Sequence, residues 1–125
     1  ATGSPRFPLQ VEVRGEVIEG GDVFRQLDGQ LRRPLSEKDK ADAAVSVAKV
    51  MIDALTDIAL DHARRKGLQT IGLTGGVSYN MPITEMVWRR VQDAGLKLLV
   101  HRNVPNGDGG IAVGQNAIAG HRYTQ

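Results

Sequence analysis

The chain has 125 residues, of which 41% are hydrophobic and 24% charged, and this composition excludes wholesale disorder and predicts one globular domain with a single core. Sixteen Lys and Arg against fourteen Asp and Glu leave a net charge of +2, too small an excess for the basic surface of a nucleic-acid-binding protein. With no Cys and no long apolar stretch, we expect no thiolate metal site, no membrane partner and a cytoplasmic location.

The first part of the chain predicts a hairpin and a short helix. Residues 1–8 are predicted to be a loose lead-in, and because they begin without Met we expect a piece of a longer protein. Apolar residues alternate from Leu9 to Ile18 around a turn at Arg14–Glu16, which predicts a β-hairpin. The segment Asp22–Leu27 favours a short helix.

A long helix is predicted next. Ser36 followed by Asp39 resembles a capping box, and Lys66 with Gly67 is a stop signal. Between them, apolar or edge-of-core residues recur at helical spacing, at Ala44, Ala48, Met51, Leu55, Ile58 and His62. A helix of about 45 Å is longer than one small domain can cover, so we expect a break or a missing partner.

The remaining chain predicts strand, helix, strand, helix. The predicted elements are a strand at 70–74, a helix from Asn80 to Gly95 with an inner stripe of Ile83, Val87, Val91 and Ala94, a strand at 96–101 and a helix at 111–120 with Ile111, Ala112, Gln115 and Ile118 available to pack. Short links between them indicate parallel strands with a right-handed crossover helix, and therefore an α/β fold.

Both strands of this α/β region run into glycine-rich loops that precede helices. The loops are Gly75–Val77 and Gly107–Gly110, and in a parallel sheet they fall at the same edge, where α/β proteins bind ligands. Main-chain amides at helix starts attract phosphate, so the two loops favour a nucleotide site. The alternative is that the glycines only permit tight turns, and neither loop matches a common phosphate-binding sequence.

Two polar residues in or shortly after these loops have alternative interpretations. Asp108 either caps a helix or holds a divalent cation beside phosphates. Asn80 either caps its helix or contacts a base or ribose, and the two roles are compatible.

Several other polar residues are interpreted as structural or solvent-facing. The histidines lie on three distant segments, and of His62, His101 and His121 only His101 is near the proposed site. The row Asp53, Asp57 and Asp61 is interpreted as a solvated face, with Asp61 able to pair with Arg65. The doublets Arg32–Arg33 and Arg89–Arg90 are interpreted in the same way.

Two segments carry a resemblance to a known family. Residues 72–80, Gly-Leu-Thr-Gly-Gly-Val-Ser-Tyr-Asn, and residues 104–115, Val-Pro-Asn-Gly-Asp-Gly-Gly-Ile-Ala-Val-Gly-Gln, closely resemble the end of the hydrogenase maturation carbamoyltransferases of the HypF family. The resemblance is strong over residues 41–120 and weaker over residues 9–35.

The resemblance implies a partial actin-like, ribonuclease H-like lobe, preceded by the hairpin and the long helix. It further implies ATP or carbamoyl adenylate as ligand, a divalent metal (Mg, Fe or Zn), and transfer of carbamoyl to the C-terminal cysteine of a HypE-like acceptor during NiFe-hydrogenase maturation. By position, the residues that would line the nucleotide pocket are Gly75, Gly76, Val77, Asn80, Gly109 and Gly110, and Asp108 would be a metal ligand.

The chain departs from the family pattern because the paired histidines, acylphosphatase-like segment, zinc fingers and adenylate-forming domain of the family are missing. We therefore expect it to be incomplete for catalysis alone, with the remainder of a HypF-like chain as partner. The expected organisation is a lead-in, hairpin and short helix (1–35), a carbamoyltransferase-like lobe (36–120) and a tail (121–125). A non-catalytic binding or assembly module is the alternative, and a homo-oligomer is an option for either.

Overall fold

The computed structural model describes residues 3–31 and 34–123. The Arg32–Arg33 doublet, which was interpreted as solvent-facing, and the last two residues of the predicted tail lie outside these ranges. The chain divides into two compact units, residues 1–67 and 68–125, so the prediction of a single core is wrong. The predicted boundaries after residues 35 and 120 stay a prediction.

The first unit contains the predicted hairpin. Strands β1 (Glu12–Arg14) and β2 (Val17–Glu19) pair antiparallel, and Gly15 begins the two-residue turn at a φ of 64°. Glycine is favoured there because a side chain is strained at positive φ. Helix α1 (Gly21–Gln30) follows and is longer than predicted, because it continues through Asp28 and Gly29.

The long helix α2 (Glu37–Arg65) runs without interruption for 29 residues, so the predicted break is absent. Its predicted capping box is confirmed: Ser36 Oγ accepts a hydrogen bond from Asp39 N, and the Asp39 side chain accepts one from Ser36 N. Gly67 has a φ of 65°, as expected for the glycine after a helix.

The predicted apolar stripe of α2 is wrong in register. None of its six members is fully buried, and Leu55 is 53% exposed. The buried positions are Asp42, Ala43, Ser46, Ala54, Thr56, Leu60 and Ala63. Polar residues enter this face because their hydroxyl groups donate to the helix itself, Ser46 to Asp42 O and Thr56 to Ile52 O, both at 2.7 Å.

The predicted loose lead-in is instead held against α2. Ser4 N donates to the carboxylate of Asp42 at 2.8 Å, and Phe7 N donates to Ser46 Oγ at 3.1 Å. Arg6 forms an ion pair with Asp39, and its Nε lies 3.5 Å from Asp42 Oδ2. We call residues 3–7 the N-terminal segment, and its main chain is ordered by side chains of α2.

These contacts predict how stability depends on acid. The Ser36 hydroxyl and the Arg6 guanidinium lower the pKa of Asp39 to about 2, and the main-chain N–H of Ser4 lowers the pKa of Asp42. Because a carboxylate with a lowered pKa stabilises the fold above its ordinary pKa, that contribution is lost as the pH falls from about 4 to about 2. We expect the thermal unfolding midpoint, followed by circular dichroism, to drop over this range. An Asp39→Asn variant with an undiminished drop would contradict the assignment.

The second unit is built on two parallel strands, as predicted. Strands β3 (Thr70–Leu73) and β4 (Lys97–Val100) pair in register from Thr70 opposite Lys97 to Leu73 opposite Val100. Between them come a short 3₁₀ turn (Gly76–Tyr79) and helix α3 (Met81–Asp93). The predicted inner stripe of α3 is confirmed, with Val87 and Val91 buried.

Helix α4 (Gly109–Tyr123) ends the described chain and continues beyond the predicted end at residue 120, so that His121 is helical. None of its residues is buried. Its apolar side chains are also uncovered, since Ile111, Val113 and Ile118 are 59%, 46% and 60% exposed. The residues predicted to be available to pack therefore have no cover in the described structure. In residues 3–31 and 34–123, no helix is both long and apolar enough to cross a membrane.

Candidate functional site: two converging glycine loops

The two glycine-rich loops of the second unit meet at the carboxyl edge of the parallel sheet. Gly75 N donates to Asn106 O at 2.8 Å, which joins the loop after β3 to the loop after β4. A Cβ placed on Gly107 would lie 4.0 Å from Gly76 Cα, so the two main chains pass close to each other. The structure therefore brings together the two loops that the sequence predicted to be neighbours.

Asn106 provides most of the contacts between these loops. Besides accepting from Gly75, it donates through Nδ2 to Ser78 Oγ at 2.8 Å and through its main-chain N to the Tyr79 hydroxyl at 2.9 Å. Ser78 Oγ in turn donates to Gly75 O at 2.6 Å. Asn106, Ser78 and Tyr79 were not predicted as site residues, although all three stand in the two segments that carry the family resemblance.

Because of this network, the two loops are in direct contact. The N–H of Gly75 is already bonded to Asn106 O within the loop pair. Glycine is favoured at this position because its φ is 93°, a conformation that strains any residue with a side chain. Gly110 has a different requirement, since a Cβ there would lie 2.5 Å from Pro105 O. Two of the predicted pocket glycines thus have a structural reason to be glycine.

The other predicted contact residues lie on the outer surface of the loop pair. Gly76, Val77 and Gly109 are exposed, and Val77 is 59% exposed despite its apolar side chain. A Cβ on Gly76 would have no neighbour within 4 Å, and its φ is not positive. The packing and the main-chain conformation therefore do not require glycine at residue 76, and its predicted contact with a ligand stays a prediction.

Asn80 has the capping role that the sequence favoured. Its Oδ1 accepts a hydrogen bond from Ile83 N at 3.3 Å at the start of α3. Since the cap uses the amide oxygen, a contact between the amide nitrogen and a ribose or base is compatible with it.

Asp108 lies exposed at the start of α4, whose first turn is closed by main-chain bonds from Gly110 N to Gly107 O at 2.9 Å and from Ile111 N to Asp108 O at 3.0 Å. A divalent cation such as Mg²⁺ takes about six oxygen ligands. Across the described residues, no three His, Cys, Asp or Glu side chains are grouped to hold a metal ion. Asp108 alone does not constitute a metal site, and the metal-binding role predicted for it stays a prediction.

A second polar pair lies at the same edge of the sheet. His101 Nε2 is 2.9 Å from Thr74 Oγ1, so the residues that follow β4 and β3 are in hydrogen-bond contact. They border a hollow of about 360 Å³ with Gly72, Leu73, Leu99 and Val100. Of the three histidines, only His101 is at the predicted site, as the sequence indicated, whereas His62 pairs with Glu16 at 2.7 Å in the first unit.

Comparisons with known proteins agree with this architecture. The family model described as carbamoyltransferase, Kae1-like domain, second subdomain matches residues 1–115. The chain is 41% identical over 108 residues to the probable carbamoyltransferase HypF of Methanocaldococcus jannaschii, covering 86% of this chain and 14% of that protein. It is 33% identical over 113 residues to a tRNA N6-adenosine threonylcarbamoyltransferase of Prochlorococcus marinus, covering 78% of this chain and 31% of that protein.

A solved structure gives the same result. The crystal structure of HypF from T. kodakarensis matches with a TM-score of 0.73 at 32% sequence identity, covering 92% of this chain and 14% of that one. The parallel strands with their crossover helix, the hairpin and the long helix thus define an α/β lobe of the Kae1-like kind, and the predicted fold class is confirmed.

The chain belongs to the HypF carbamoyltransferase family, in which it corresponds to the second subdomain of the Kae1-like domain. It spans about one seventh of the M. jannaschii protein and 30% of the HypF homologue of Cupriavidus necator, to which it is 35% identical over 119 residues, or 90% of this chain.

Proposed function

We propose that this chain supplies nucleotide-binding loops to a HypF-type carbamoyltransferase and that its ligand is ATP or carbamoyl adenylate. The observation that carries the proposal is Gly76, which is exposed beside the loop contact and has open space where its side chain would be. Because Gly76 has no side chain and lies beside the second loop at the carboxyl edge of the sheet, there is room for a phosphate to approach the main chain there closely.

The chemistry of the proposed reaction assigns a positioning role to these residues. Main-chain amides near Gly76, Val77 and Gly109 would bind the phosphate, and Asn80 would contact the adenosine. Amides held by a rigid loop pair stabilise negative charge without reorganising, which is the contribution expected of such a site. With carbamoyl adenylate as the donor, the thiolate of the C-terminal cysteine of a HypE-like acceptor would attack the carbamoyl carbon, forming a C–S bond, and AMP would leave, as the proposed step in hydrogenase maturation.

A divalent cation in this reaction would neutralise phosphate charge. Asp108 is the carboxylate of this chain that we propose as one of its ligands, and the others would come from the remainder of a HypF-like chain. The exposed apolar side chains of α4, Ile111, Val113 and Ile118, support a partner of that kind, because a helix with this much uncovered apolar surface favours burial against another element.

The test is a titration of the ¹⁵N-labelled chain with ATP and Mg²⁺, followed by NMR, which detects millimolar binding to a partial site. We expect amide shifts at Gly75–Val77 and Gly109–Gly110. A Gly76→Val variant should weaken the affinity at least about tenfold, because its side chain occupies the approach to the main chain. An Asp108→Ala variant should remove the effect of Mg²⁺ on that affinity.

The matched control is Gly114→Val in α4, another position where a Cβ has open space. This variant should bind ATP as the unchanged chain does. Equal affinity of the Gly76→Val and Gly114→Val variants, or the absence of amide shifts at both loops, would contradict the proposal.

A further inference from the structure

A pair of side chains lies where the two parallel strands end. Thr74 directly follows β3 and His101 directly follows β4, so they stand opposite each other just beyond the last paired residues of the sheet. His101 Nε2 lies 2.9 Å from Thr74 Oγ1, and this contact continues the strand pairing through side chains. The residue after Thr74 is Gly75, whose N–H donates to Asn106 O. The pair therefore adjoins the contact between the two glycine-rich loops, at the edge where α/β proteins bind ligands.

The pair of Thr74 and His101 lies on the more exposed face of the sheet. Because side chains alternate between the two faces of a strand, the pair shares its face with Gly72 and Leu99, and Leu99 is 50% exposed. A Cβ on Gly72 would have no neighbour within 4 Å. All four residues border the hollow of about 360 Å³ at this edge of the sheet. The hollow thus has aliphatic surface at Leu99 and a polar end at the pair.

The hydrogen bond within the pair leaves a donor for a ligand. If the Thr74 hydroxyl donates to Nε2, a neutral His101 carries its proton on Nδ1, and that N–H is outside the bond. If Nε2 donates to Thr74 instead, the hydroxyl proton of Thr74 is outside the bond. A charged His101 leaves both the Nδ1–H and the hydroxyl proton. In every protonation state, the pair therefore has at least one polar hydrogen that its own contact does not use.

The charges on the segments that hold the pair favour an anion. The loop after β3, residues 74–80, has no charged side chain. Strand β4 and the loop after it have Lys97, Arg102 and Asp108, all three exposed. Within residues 3–31 and 34–123, no carboxylate forms an ion pair with His101. A proton on His101 would therefore add positive charge to the hollow without being neutralised by a carboxylate in direct contact.

We propose that His101, in its charged form and together with Thr74, binds a phosphate oxygen of the ligand that the glycine loops receive. This inference rests on the proposed nucleotide-binding function and adds a side-chain contact to the main-chain amides of that site. A hydrogen bond from a charged donor to phosphate is stronger than one from a neutral donor, so protonation of His101 strengthens the contact. A nucleotide and free phosphate offer the same chemistry, and the experiment below separates them.

The test compares the unchanged chain with a His101→Gln variant by NMR titration with ATP and Mg²⁺ at about pH 8 and about pH 6, because histidine gains its charge in this range. Gln keeps an uncharged N–H donor at this position, so the variant removes the charge. ATP also takes up a proton in this range, and the two chains are therefore compared at each pH. We expect the unchanged chain to bind ATP about fivefold more tightly than the variant at the lower pH, and within about twofold at the higher pH.

The matched control is His121→Gln in α4, which should bind ATP as the unchanged chain does at both pH values. Inorganic phosphate is the second probe: the same pH-dependent loss with it assigns the contact to free phosphate, whereas a loss confined to ATP assigns it to the nucleotide. An equal pH dependence in the unchanged chain and in His101→Gln would overturn this inference, and amide shifts at Gly75–Val77 would then still support the proposed function. Absence of shifts both at the loops and at His101 would contradict the two together.

Discussion

Replacing Gly110 with Ala is expected to lower the free energy of unfolding by about 2–3 kcal/mol. The new Cβ would lie 2.5 Å from the main-chain carbonyl oxygen of Pro105, and a carbonyl is far less able to move aside than the end of a flexible side chain. Urea unfolding followed by circular dichroism measures the loss.

The control for this prediction is Gly114→Ala in the same helix. A Cβ at Gly114 has no neighbour within 4 Å, so Ala should stabilise α4 by about 0.5–1 kcal/mol through its higher helix propensity. If Gly110→Ala were as stable as the unchanged chain, the loop from Pro105 to Gly110 would be able to shift, and the rigid loop pair assumed for nucleotide binding would be lost.

Replacing Asp42 with Ala is expected to lower the melting temperature by roughly 5–10 °C. Asp42 is fully buried, accepts the N–H of Ser4 at 2.8 Å and an Nζ–H of Lys38 at 3.1 Å, and lies beside Arg6. The variant leaves a main-chain donor without its acceptor, which is more costly than the loss of a surface ion pair.

Hydrogen exchange provides the second measurement for Asp42→Ala. The amides of Ser4 and Phe7 should exchange much faster in the variant, because the N-terminal segment loses its attachment to α2. Asp61→Ala is the control, since Asp61 forms an exposed pair with Arg65 and its loss should change the melting temperature little. Equal effects of the two substitutions would show that burial of Asp42 contributes nothing.

Local signals in the sequence predicted most of the secondary structure. Ser36 with Asp39, Asn80 before a helix, and Gly67 after one specify their helix ends through short-range hydrogen bonds and backbone conformation, and these do not depend on the rest of the fold. The alternation before and after Gly15 predicted the hairpin for the same reason.

Features that depend on distant contacts were missed. Nothing in the sequence near Asp42 indicates that this charged residue is buried. In the structure its carboxylate accepts a hydrogen bond from Ser4, which is 38 residues away. Asn106 likewise gains its role from Gly75, Ser78 and Tyr79, which are remote in sequence. The stripe predicted on α2 followed hydrophobicity, whereas its buried face includes hydroxyl groups satisfied within the helix.

At the candidate site, the sequence predicted that the two loops lie together, because parallel strands end at one edge. It did not predict that Gly75 and Gly110 are needed by the loops themselves, since those requirements come from a φ of 93° and from the position of the Pro105 carbonyl. Neither requirement applies to Gly76, because a Cβ there has open space and its φ is not positive.

The contact between the N-terminal segment and α2 has a practical consequence for recombinant work. A Cβ on Gly3 would lie 2.3 Å from the carbonyl oxygen of Ala41, so a larger amino acid at that position would push the N-terminal segment away from α2. An affinity tag should therefore be joined ahead of Gly3, and a protein trimmed to begin at the hairpin would leave Asp42 and Ser46 facing water.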